Sequence, residues 1–174
     1  MYHRHHGHFW AAKTDVFAQT AEEVYNRRRD SGATVAYIAD YLFRGLDRYD
    51  RAIDMLWDAW KRDILDENGI ANLVHFLHSH NRYEKAIPVT TELVELRPGN
   101  VQYRYNLMVS YGKSGDQNEA DAVRAQAEAY FKEHRQWQER VIAMLAQGSL
   151  DSRLYEHAVA YYDEVIAFLR RSVR

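Results

Sequence analysis

Apolar residues recur at three- and four-residue steps along most of the chain. Leu73, Phe76 and Leu77, then Ala86, Val89, Leu93 and Leu96, keep the spacing that places side chains on one face of an α-helix. Short polar turns interrupt the pattern at Gly45-Leu46-Asp47, His80-Asn81 and Ser114-Gly115-Asp116. Such residues end one helix and cap the next. A firmer stop stands at Arg97-Pro98-Gly99-Asn100, because the residue before a proline is pushed out of the α region. The pattern predicts helices over 10–29, 33–46, 49–62, 67–80, 83–96, 101–114, 117–133, 136–147 and 153–171. Pro88 removes one hydrogen bond from the fifth of these and is expected to bend it.

The segment Arg48-Tyr49-Asp50-Arg51-Ala52-Ile53 returns as Arg82-Tyr83-Glu84-Lys85-Ala86-Ile87, and more loosely as Asp116-Gln117-Asn118-Glu119-Ala120-Asp121. Ala52, Ala86 and Ala120 are 34 residues apart. Phe43, Leu77 and Tyr111 keep the same step, as do Ala39, Leu73 and Leu107. A fixed period of this length marks a repeat architecture, in which each helix pair buries its apolar face only by stacking on its neighbours. The three alanines are expected at close helix contacts.

With large, small, aromatic and alanine positions in this order, the chain resembles the tetratricopeptide repeat over residues 33–134. The resemblance implies an all-α, right-handed α-solenoid of antiparallel helix pairs with flanking helices. Repeats are expected at 33–66, 67–100 and 101–134, with a degenerate one at 135–171, all in a single domain over 10–174. In that last repeat, Gly148-Ser149-Leu150-Asp151-Ser152 reads as a lengthened turn before Tyr155-Glu156-His157-Ala158, which repeats the Tyr-x-x-Ala motif about four residues late. The slot that the family gives to a small residue holds Asp40, Val74 and Met108, so packing there is expected to be rearranged. Residues 1–9, with His3, His5, His6 and His8, read as a tag-like or disordered leader.

Composition removes several classes of function. Lys and Arg total 23 against 25 Asp and Glu, a net charge of −2, so no strong field gathers nucleic acid or anionic membrane. The longest apolar stretch, 69–77, is far shorter than the ~20 residues that span a bilayer. The absence of cysteine rules out disulfides, thiolate-bound zinc and a thiol nucleophile, and suits a reducing, cytoplasmic setting. No serine lies in a nucleophile elbow, and single scattered glycines make no phosphate-binding loop. His75 and His78 share a helical face at metal-ligand spacing, but no third ligand accompanies them. No enzyme, metal or cofactor is expected.

Binding remains. In repeats of this kind the first helix of each pair lines the inner surface, so Tyr37, Tyr41 and Arg44, then Asn72, His75 and His78, then Tyr105 and Asn106 would share a groove. Aromatic area with amide tips suits an extended peptide. Asn72 and Asn106 equally suit bridges between neighbouring helices. Arg140 would sit toward one end, and acidic partners would be favoured below pH ~6.5, where imidazole protonates. Family members that clamp a C-terminal carboxylate use lysines that are missing here, so the resemblance does not imply that clamp. The expected role is a non-catalytic interaction or scaffold module for a protein or peptide partner. The alternative is a homo-oligomerisation unit, with Tyr161 and Phe168 on the strongly apolar last helix as the self-association residues.

Overall fold

The computed structural model describes the backbone of residues 5–172 and the side chains of residues 15–171. Met1–Arg4, in the His-rich leader, lie outside the described residues. Nine α-helices follow one another among those residues: α1 (His5–Arg28), α2 (Gly32–Asp40), α3 (Tyr49–Lys61), α4 (Glu67–Ser79), α5 (Tyr83–Leu96), α6 (Val101–Ser114), α7 (Gln117–Glu133), α8 (Glu139–Asp151) and α9 (Tyr155–Ser172). The chain divides into two compact units, Met1–Phe76 and Leu77–Arg174.

In the first unit, α2 and α3 form the helix pair. Ala52, Met55, Leu56 and Ala59 of α3 are fully buried, as are Val35 and Ala39 of α2. After Asp40, α2 widens into a π-helical turn over Tyr41–Gly45. The widened turn aims Phe43 inward, where its ring stacks on Phe76 at 3.7 Å. Helix α1 is fastened by polar contacts: Arg51 donates to both carboxylate oxygens of Glu22 at 2.5 and 2.6 Å, Tyr25 donates to Asp58, and Arg48 donates to Asp15.

In the second unit, a core of Leu107, Met108, Ala120, Ala127, Phe131, Ile142, Leu145, Ala146 and Tyr161 joins α6, α7, α8 and α9. Ala86 and Ala120 are fully buried, so the alanine register read from the period holds. Gly112 is required by close approach: a Cβ there would lie 2.5 Å from the Ser152 backbone, and the Ser152 hydroxyl donates to the Met108 carbonyl at 2.9 Å. The turn inside each pair passes through a left-handed residue at Asp47, Asn81, Gly115 and Arg153. Those residues are spaced by 34, 34 and 38. Helices α6 and α8 also start 38 residues apart.

The four extra residues of the last repeat therefore precede α8 and do not follow it: α7 has 17 residues where α5 has 14, and the connection after it is longer by one. This corrects the expected turn at 148–152. Gly148 and Ser149 are buried inside α8, with Gly148 against Met108 and Tyr105, and that packing outweighs their preference for turns.

Candidate functional site

The first unit holds a solvent-open groove between α1 and α2 with a volume of about 260 Å³. Phe17, Thr20, Ala21 and Val24 contribute from α1, at the spacing of one helical face, and Thr34, Tyr37, Ile38 and Tyr41 from the α2 side. The Thr20 hydroxyl donates to the Val16 carbonyl and the Thr34 hydroxyl to Ser31, so both hydroxyls are satisfied locally. Tyr37 is 76 % exposed, Phe17 51 % and Val24 41 %, an unusual outlay of large apolar side chains for an otherwise ordinary surface. The polar contacts of α1 reach Arg48, Arg51 and Asp58, while Phe17 and Val24 stay exposed at the groove.

Of the sequence-derived strip in this unit, the structure brings Tyr37 and Tyr41 together in the groove. Arg44 is paired with Asp40 at 2.5 Å, one turn away. Asn72 is half-buried on α4. His75 is exposed beside the rings of Phe43 and Phe76. The α1 half of the groove was missed because α1 carries no recognisable repeat motif. Its available signal was Phe17, Ala21 and Val24 at i, i+4 and i+7.

In the second unit the strip residues are largely occupied by their own fold. His78 Nε2 lies 2.8 Å from the Ser110 hydroxyl, and that hydroxyl donates to the Asn106 carbonyl. With its own proton on the Asn106 carbonyl, Ser110 is left to accept from His78 Nε2–H. Tyr105 donates to Asp151 at 2.7 Å, and its phenol is pushed well above its usual value by burial first and by the Asp151 carboxylate second. Asn106 accepts from Gln102. Arg140 is exposed on α8, but with α8 starting 38 residues after α6 it takes the slot of Gln102, where an unbroken 34-residue period would align it with Asn106.

Tyr161 is not a self-association residue. It is 5 % exposed, in the core of the unit, where its hydroxyl donates to Glu128 at 2.6 Å and accepts from the nine-tenths-buried Arg124 at 2.9 Å. Burial, then the neighbouring carboxylate, raises the Tyr161 phenol. Burial alone would raise the Glu128 carboxyl, but hydrogen bonds from Lys132 and Tyr161 outweigh it and hold the carboxyl below its ordinary range. Phe168 is half-buried, under the guanidinium of Arg171.

Among the described residues no three His, Cys, Asp or Glu side chains gather as a metal site, and no helix is long and apolar enough to cross a membrane.

No protein-family model matches the chain, and no curated protein matches it. Solved structures do. MamA residues 41 to the end from Desulfovibrio magneticus RS-1 superpose with a TM-score of 0.63 at 14 % identity, over 94 % of this chain and 89 % of that one. MamA AMB-1 gives a TM-score of 0.60 at 18 % identity, over 95 % of this chain and 96 % of that one. YrrB, described as a TPR protein with an unusual peptide-binding site, gives 0.62 at 15 % identity, over 90 % of this chain and 78 % of that one. The 34-residue period, the buried alanines and these superpositions together give the chain the tetratricopeptide-repeat fold, an α-solenoid of antiparallel helix pairs.

Proposed function

We propose that the protein is a non-catalytic interaction module and that the α1–α2 groove takes apolar side chains from a partner protein. The observation that carries this reading is the lining itself: rings and methyl groups at a solvent-open cleft, with the phenol oxygens of Tyr37 and Tyr41 as polar tips. Such a cleft has little to offer an extended backbone, which needs donors and acceptors along its length. It suits instead the apolar face of an amphipathic segment, two or three side chains at i, i+3 or i+4, and i+7. The peptide-binding TPR protein among the similar structures supports the general role.

Selection of peptides from a displayed random library, with the full chain as bait, tests this. Recovered peptides should carry apolar residues at helical spacing. Phe17→Asp or Tyr37→Asp should weaken the best of them by roughly tenfold or more, as expected when a buried apolar anchor is lost. Joint Asn72→Ala and Asn106→Ala should change affinity little. The opposite result, loss of binding with the asparagines and retention with the groove variants, would return the site to the amide strip.

A further inference from the structure

Helix α9 carries apolar residues on two faces. Ala158, Tyr161 and Val165 pack into the second unit. Tyr155, Val159, Tyr162, Ile166 and Leu169 are between 37 % and 62 % exposed. These five follow one another at steps of four, three, four and three, the spacing that keeps one continuous seam against a partner helix. The seam extends over about 21 Å of helix.

The repeat itself shows what such a face is for. The Tyr-x-x-Ala motif aligns Tyr83 and Ala86 of α5 with Tyr155 and Ala158 of α9, which places Ile87, Thr90 and Val94 at the positions of Val159, Tyr162 and Ile166. On α5 these positions are covered: Thr90 is fully buried, and Ile87 and Val94 pack against the core of α6 and α7. On α9 the same register faces solvent and is larger and more apolar.

We propose that the α9 seam is a self-association surface, pairing antiparallel with the α9 seam of a second copy. The charges at the two ends of the helix favour an antiparallel second copy, with Asp163 at mid-seam as the one like-charge contact. Glu156 lies in its first turn and Arg170 in its last, each next to a seam residue. An antiparallel pair brings each arginine toward the partner copy's glutamate, while a parallel pair sets like ends together. The contact is isologous, so it closes as a dimer and does not propagate. A single four-turn seam is a small interface, and the expected dissociation constant is on the order of micromolar. This proposal is independent of the α1–α2 groove.

Sedimentation of the full chain over a range of concentrations tests it, with circular dichroism as the check on folding. The wild type should shift from monomer to dimer. Val159→Glu with Ile166→Glu should weaken association by roughly 100-fold, since two seam side chains lose their apolar burial, at unchanged helix content. Val159→Ser with Ile166→Ser serves if the glutamates disturb folding. Glu156→Arg alone should weaken the dimer, and adding Arg170→Glu should restore it. A monomer at every concentration overturns the proposal. So does a dimer that survives the seam substitutions, one that is lost with Phe17→Asp instead, or one that the second charge reversal fails to restore.

Discussion

The α1–α2 groove and the α9 seam are both exposed and both apolar, yet they ask for different ligands. The groove is a cleft whose hydroxyl-bearing threonines satisfy themselves locally, and the ligand proposed for it is a set of side chains inserted between two helices. The seam is a ridge on one helix, and a ridge with four-three spacing is complementary to another helix of the same kind. Apolar area by itself does not separate these two uses. What separates them is whether the exposed residues come from two elements that leave a gap or from one element that projects. Each also shows a different origin of exposure: α1 leaves a cleft beside α2, whereas α9 is docked through Ala158, Tyr161 and Val165 and exposes the face adjoining its docked one.

The largest effect should come from breaking the docking that gives the seam its orientation. Ala158 is 2 % exposed, and Ala158→Arg would insert a charge and excess volume at a closed contact, costing about 3–5 kcal/mol. The melting temperature should fall by roughly ten degrees. A melting point within a degree or two of the parent would mean that α9 is not seated as described.

A smaller effect should follow from removing the hydroxyl of Tyr161. Tyr161→Phe leaves Arg124 and Glu128 with one fewer buried partner and should cost about 1–2 kcal/mol in chemical denaturation. The same network gives a pH signature. Because the Glu128 carboxyl is held below its ordinary value of 4.5, its contribution to stability is complete above that value and is lost as the pH falls through its lowered folded value. An acid titration of stability should lose this component in Glu128→Gln. Identical acid profiles for the wild type and the variant would remove Glu128 from the account.

The smallest effects on stability belong to the two surfaces themselves. Tyr37→Ala and Val159→Ser, at side chains 76 % and 62 % exposed, should each change unfolding free energy by less than about 0.5 kcal/mol. Each should nevertheless reduce its own interaction, peptide capture for the first and self-association for the second. A large loss of stability in either would show that the residue supports the fold.

The sequence alone determined the helices, their pairing and the alanine contacts. Ala52, Ala86 and Ala120 are fully buried, and helices 83–96, 101–114 and 117–133 have the bounds read from the pattern. These features are written in residues a few places apart, where helical periodicity and turn chemistry act directly. The tertiary structure decided where the four extra residues of the last repeat go, because Gly148 and Ser149 read as a turn until Met108 and Tyr105 pack on that stretch. It decided that Tyr161 is core, since that depends on the buried Arg124 of another helix. It also decided that Tyr37 and Tyr41 face an apolar cleft, since half of the cleft is supplied by α1, which has no motif. A helix with apolar residues over half its surface specifies burial without specifying against what. That choice is made by long-range packing, and the faces left over after it are the ones available for function.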